Sequence, residues 1–302
     1  MLKDIAASVR ARLLTLARKR GEDFDYVLRQ YVMQRLLYRL SRSHLADQFL
    51  LKGALLFWVW IEDFHRPTRD IDLLSFGAND VPHLVELFLQ ITAMDEPDGL
   101  VFDGTSIRGE EIKEDTEYPG VRITGFSYLG SARVPFQIDI GYCDAVVPPA
   151  EQAQLPSVLD FPAPELRIYP VYGVIVEKFQ AMVVFGLANS RMKDLFDILV
   201  ISKTMVLDGG LLCQAIAATF ERRKTEIIDR PLYVFSQEFV VDVGKRAQWR
   251  VFLNKNDIEP SVDFTVVVSD LAQFLTPVYD AIAQGRPYNA NWSTDEYMWR
   301  ES

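Results

Sequence analysis

The chain has 302 residues, 49% of them hydrophobic, and a formal charge of −10; it is long enough to bury one large core or two of ordinary size. Two cysteines and three scattered histidines exclude a disulfide framework and a four-ligand zinc site, so a bound metal would have to be held by oxygen. The acidic balance argues against a general nucleic-acid coat protein, yet residues 1–69 hold 13 Lys/Arg against 7 Asp/Glu, and a locally basic segment can steer a polyanion.

The first residues, MLKDIAASVRARL, carry charge through what would be the apolar region of a signal peptide, and no stretch of about 18 uninterrupted apolar residues follows. The expectation is a cytoplasmic protein with no membrane partner. Up to about Ser43, apolar residues recur at helical spacing (Val9, Leu13, Leu16, then Val27, Tyr31, Leu36, Leu40) with a break at RGEDFD, which predicts two or three amphipathic helices. LADQFLLKGALLFWVWIEDF is apolar almost all round and predicts a helix buried on every side, with Lys52 and Gly53 near its start. RDIDLLSF then reads as a short strand, with Ile71 and Leu73 on one face and Asp70, Asp72 and Leu74 on the other.

A helix from about Val81 to Thr92 comes next, followed by three strand-like runs, GLVFDG, GVRITGFSYLG and RVPFQIDIGY. In the last, Val134, Phe136, Ile138 and Ile140 share an apolar face, which leaves Gln137 and Asp139 pointing the other way, free to face a cleft. The proline-rich VVPPAEQAQLPSVLDFPAPELRIYP reads as an extended connector. From Val171 the pattern is mostly helical, with a break at Gly186 and an N-cap from Asn189 or Ser190 opening RMKDLFDILVIS. Strands early and helices at both ends predict an α+β fold in two parts, residues 1–165 and a helical 166–302.

Two carboxylates at i and i+2 of a strand, joined by a third from another strand, make a compact oxygen cage for Mg²⁺; Asp70, Asp72 and Asp139 fit that pattern. A D-x-D pair alone is common on solvent-facing turns, but on a buried strand its carboxylates are costly to desolvate without a cation. Phosphoryl and nucleotidyl transfer depend on positioning and charge stabilisation, and Lys52, Arg66 and Arg69 lie close in sequence. In EKFQAMVVFGLANSRMKDLFDIL, Lys178 sits on one helix while Arg191, Lys193 and Asp194 occupy the first turn of the next, where free backbone N–H groups favour an anion. The plainer reading makes these ordinary surface ion pairs, and Asp197 a local cap or a partner of Arg191 or Lys193.

Together, LLKGALLFWVW, RPTRDIDLLSF, FQIDIGY and EKFQAMVVFGLANSRMKDLFDIL resemble the AbiEii/AbiGii toxin family of nucleotidyltransferases, which includes the MenT toxins and belongs to the DNA polymerase β-like superfamily. QWRVFLNKN is a weaker echo of the family's C-terminal helical region. The resemblance implies a polymerase β-like core, a small mixed sheet with flanking helices, followed by a mainly helical C-terminal half that completes the nucleotide site. It implies Asp70, Asp72 and Asp139 as metal ligands and, with Lys178 and Asp194, as catalytic residues. Lys52, Gly53, Ala54, Arg66, Thr68, Arg69, Arg191 and Lys193 are then nucleotide-binding. Ala54 departs from the family's Gly-Gly or Gly-Ser turn, which leaves only main-chain N–H groups there for phosphate.

The expected activity is Mg²⁺-dependent transfer of a nucleotide from an NTP to an acceptor, most naturally the tRNA 3′ end, by the toxin of a toxin-antitoxin pair whose cognate antitoxin is a protein partner. A small molecule or protein hydroxyl is the alternative acceptor, and an inactive domain that only binds a partner is the reading without chemistry.

Overall fold

A computed structural model of the chain describes residues 5–61, 67–78, 80–112, 120–142, 144–258 and 262–301. It divides into two compact units, one made of residues 1–143 and 150–169, the other of 144–149 and 170–302.

Unit 1 opens with helices α1 (Ile5–Arg20) and α2 (Phe24–Arg42). The RGEDFD break is a cap: Asp23 Oδ1 accepts from the main-chain N–H groups of Asp25 and Tyr26 at 2.9 and 3.1 Å. The run LADQFLLKGALLFWVWI departs from the single buried helix its composition predicts. Phe49–Lys52 is strand β1, Gly53 and Ala54 form a turn, and only Leu55–Ile61 is helix α3. A short strand with neighbours on both sides is as uniformly apolar as a buried helix, so periodicity does not separate the two. The expected D-x-D strand is β2 (Ile71–Ser75), and the helix after it is α4 (Val81–Thr92), capped by Asp80 through His83 N–H at 2.9 Å.

The three predicted strand runs are β3 (Leu100–Ile112), β4 (Gly120–Leu129) and β5 (Ala132–Tyr142). The proline-rich segment is not only a connector, since it contributes β6 (Glu151–Gln154) and β7 (Glu165–Ile168). These strands form one mixed sheet in the order β3-β4-β5-β2-β1-β7-β6, with β2 parallel to β5 and antiparallel to β1. α2 is anchored beside the sheet by a buried ionic knot. Arg35 Nε donates to Asp98 Oδ2 at 2.9 Å, and Arg39 donates to both Asp98 oxygens at 2.6 and 3.2 Å. Asp98 also accepts from Leu100 N–H, which ties the knot to the start of β3.

Unit 2 is mainly helical: α5 (Val171–Phe185), α6 (Met192–Thr204), α7 (Gly209–Arg222), α8 (Gln237–Val241), α9 (Val243–Lys255) and α10 (Phe264–Ala283). It also holds a small sheet that the sequence pattern does not announce, β8 (Leu207–Asp208), β9 (Ala290–Ser293) and β10 (Met298–Glu301), in the order β10-β9-β8. Aromatic packing fixes that sheet. Trp292 is fully buried, lies 4.8 Å from the ring of Phe274, and donates to Ser202 O at 2.7 Å. Residues 171–188 and 264–283 are long and apolar enough to cross a membrane by length and composition. Phe179, Met182, Leu271 and Phe274 on these helices are buried within unit 2.

Candidate functional site

The alternation of β2 and β5 puts Asp72 and Asp139 on one face, and the parallel register makes them direct neighbours. Asp70, at the mouth of β2, completes the set: one carboxylate oxygen from each of Asp70, Asp72 and Asp139 lies within 4.8 Å of the other two. All three side chains are half-buried. Like charges placed directly opposite across strands repel, so this arrangement needs a compensating cation. The neighbouring strands supply part of it. Lys52 on β1 is paired in register with Asp72, and Arg122 on β4 with Asp139, so charges run plus, minus, minus, plus across four adjacent strands.

Each carboxylate is held by its surroundings. Thr68 Oγ1 donates to Asp70 Oδ1 at 2.8 Å and is buried. Gly53, with φ +71°, packs its backbone against Asp72; a Cβ there would overlap Asp72 Oδ2 and come within 2.5 Å of Cγ. Only glycine meets both demands, a left-handed conformation and a carboxylate in the space of its side chain. Asp139 receives a fork from Arg122, Nε to Oδ1 and Nη2 to Oδ2, each at 2.8 Å, and Gln137 Nε2 lies 3.2 Å from both oxygens. The hydrogen bond to Asp139 raises the Arg122 pKa above its usual range, against a smaller lowering by burial. Arg122 was missed in the sequence because its place opposite Asp139 depends on the β4/β5 register.

Among the described residues, no other group of three or more Asp, Glu, His or Cys side chains converges in this way. The donor set is all carboxylate oxygen, which suits a hard divalent cation of the Mg²⁺ or Mn²⁺ kind and not zinc. Lys52 Nζ lies 4.5 Å from the centre of the Tyr169 ring, which fixes it at the edge of the site. Ala54 is buried in the turn beside Gly53, and Arg69 is exposed next to Asp70. Arg66 lies outside the described residues.

In unit 2 the second set of candidates converges on buried acid rather than forming surface pairs. Lys178 Nζ on α5 lies 3.0 Å from Asp194 Oδ1 and 2.8 Å from Asp197 Oδ2 on α6, and both carboxylates are fully buried. Arg191 Nε lies 2.6 Å from Asp194 Oδ2 without the alignment of a hydrogen bond, so that contact is ionic. Asp197 is therefore a partner of Lys178 across the two helices. The cap of α6 differs as well. Arg191 is the capping residue and makes no side-chain cap bond, while Asn189 Oδ1, two residues earlier, accepts from Arg191 N–H at 2.8 Å. Lys193 is exposed on the first turn. Buried Lys245 supports the same turn by donating to Asn189 O at 2.5 Å. Burial pushes its ammonium pKa below the usual lysine range.

Residues 35–275 match the family profile described as nucleotidyl transferase AbiEii toxin, type IV toxin-antitoxin system. No curated protein matches the chain. Among solved structures, JHP933 from Helicobacter pylori is similar at 15% identity and a TM-score of 0.49, over 85% of this chain and 94% of that one. A second H. pylori protein, provisionally named a nucleotidyltransferase, is similar at 14% identity and a TM-score of 0.49, over 87% of this chain and 98% of that one.

Proposed function

Because the chain belongs to the AbiEii nucleotidyl transferase toxin family of type IV toxin-antitoxin systems, we propose that it transfers a nucleotide from an NTP to the 3′ end of tRNA with Mg²⁺ held by Asp70, Asp72 and Asp139. The observation that carries the metal assignment is the convergence of the three carboxylates to within 4.8 Å. When bound, the cation would lower the pKa of the attacking hydroxyl and neutralise charge on the triphosphate.

The chain's own residues do the rest. Thr68 aims the Asp70 carboxylate, Gly53 lets the main chain close on Asp72, and Asp139 takes the proton of the acceptor hydroxyl. Lys52, Arg66, Arg69 and the N–H groups of the Gly53–Ala54 turn bind phosphate. Lys178, Arg191 and Lys193 also serve the nucleotide, with buried Asp194 holding Lys178 and Arg191 by its two oxygens. That support suits the role, because a cation fixed on a buried acid needs no reorganisation when an anion arrives. The excess of basic residues in 1–69 is in keeping with an RNA acceptor, the cytoplasm supplies NTP and tRNA together, and a cognate antitoxin protein restrains the activity.

The test is purified protein with each labelled NTP, Mg²⁺ and total tRNA. Label should enter tRNA and be lost in Asp70→Ala; no incorporation from any of the four NTPs would refute the proposal.

A further inference from the structure

We propose that Arg122 is a positioning residue that sets both the orientation of Asp139 and the net charge of the triad, holding divalent-cation affinity down while keeping the third carboxylate in its working rotamer. This inference rests on reading the triad as a metal centre. Three carboxylates sum to −3, and Arg122, forked onto Asp139 at one end of the row as Lys52 stands beside Asp72 at the other, lowers the negative charge offered to a cation by one unit. The cost of a free third carboxylate is a site that grips its ion too firmly and an Asp139 free to turn towards it. The fork prevents both. Its two parallel N–H···O bonds engage both Asp139 oxygens, and Gln137 Nε2 lies 3.2 Å from each of them.

Lysine cannot reproduce this, since it is a point charge without a planar fork. A cross-strand ion pair that merely holds β4 to β5 would behave differently. Arg122 is one-third exposed, and pairs of that kind contribute little to stability. Its removal would then change neither cation affinity nor turnover by much.

The experiment measures Mn²⁺ binding to the full chain without NTP by electron paramagnetic resonance, alongside labelling turnover, for the wild type, Asp72→Asn, Arg122→Met and Arg122→Lys. Removing a unit charge a few ångströms from the ligands should tighten Mn²⁺ binding of Arg122→Met by about tenfold while turnover falls about tenfold or more. These opposite signs separate the role from a general loss of structure, which would weaken both. Arg122→Lys should keep wild-type Mn²⁺ affinity and still lose turnover; if Arg122→Met does not fold, this variant decides, and full turnover in it overturns the proposal. Mn²⁺ binding that is lost in Asp72→Asn yet unchanged or weaker in Arg122→Met overturns the role of Arg122 alone. Wild-type binding that survives Asp72→Asn overturns the metal centre and the role of Arg122 with it.

Discussion

At Gly53 a single missing methyl group decides the geometry of the site. The φ of +71° and the overlap that a Cβ would make with Asp72 are independent penalties at one position. Gly53→Ala should therefore lower labelling turnover by roughly a hundredfold, because small displacements of a reacting group are that costly, while a melting curve shows the chain still folded. Thr68→Val keeps volume but removes the donor to Asp70 Oδ1. Loss of such a supporting hydrogen bond costs about tenfold in metal affinity, to be read by Mn²⁺ titration; unchanged affinity would show that Thr68 does not orient Asp70. The D-x-D pair was legible in the sequence because strand alternation is local: Ile71 and Leu73 are buried, and Asp70 and Asp72 face the other side. Arg122 was illegible because its partner lies 17 residues away, across a hairpin whose register no short window records.

Among the elements, α2 depends on one residue, Asp98, for its buried ionic anchor. Arg35 and Arg39 are 1% exposed and share Asp98, which is fully buried. Asp98→Ala would leave two guanidinium groups in the core without their carboxylate, and breaking a buried pair in this way costs about 3–5 kcal/mol. Urea unfolding followed by circular dichroism checks it, and a loss below about 1 kcal/mol, the range of an exposed pair, would contradict the assignment. The β9–β10 turn makes a pH prediction. Burial pushes the Tyr297 phenol up to about 12, against the opposing hydrogen bond with Ser202, and burial pushes the Cys213 thiol up to about 11. An unfolded phenol ionises near 10, so between about pH 10 and 12 the unfolded chain has lost a proton that the folded chain keeps. Stability must fall as pH rises through that window. The urea midpoint at pH 11 should lie below that at pH 9, and Tyr297→Phe should shrink the difference. Helices with an apolar stripe and a cap, such as α2 and α4, could be read from sequence. β1 could not, because four apolar residues beside an apolar helix carry no period of their own, and neither could β8, a strand of two residues held by the aromatic cluster around Trp292.

For the molecule as a whole, charge and chemistry are distributed unevenly. The chain carries −10 overall, while its first 69 residues are basic. If those cations meet RNA, labelling of tRNA should weaken steeply between about 50 and 200 mM salt through counterion release, whereas Mn²⁺ binding at the triad should change far less; equal salt dependence of the two would argue for a small acceptor in place of RNA. The α+β class and the acidic triad were both within reach of sequence reasoning, because each depends on alternation within a strand plus one convergence between strands. The charge row Lys52, Asp72, Asp139, Arg122 was not, since it exists only once β1, β2, β5 and β4 are laid side by side. The most direct measurement is anomalous diffraction from crystals of the full chain soaked with Mn²⁺ and a non-hydrolysable NTP. An anomalous peak within coordination distance of Asp70, Asp72 and Asp139 is expected, and a peak elsewhere, or none while the nucleotide is bound, would contradict the account.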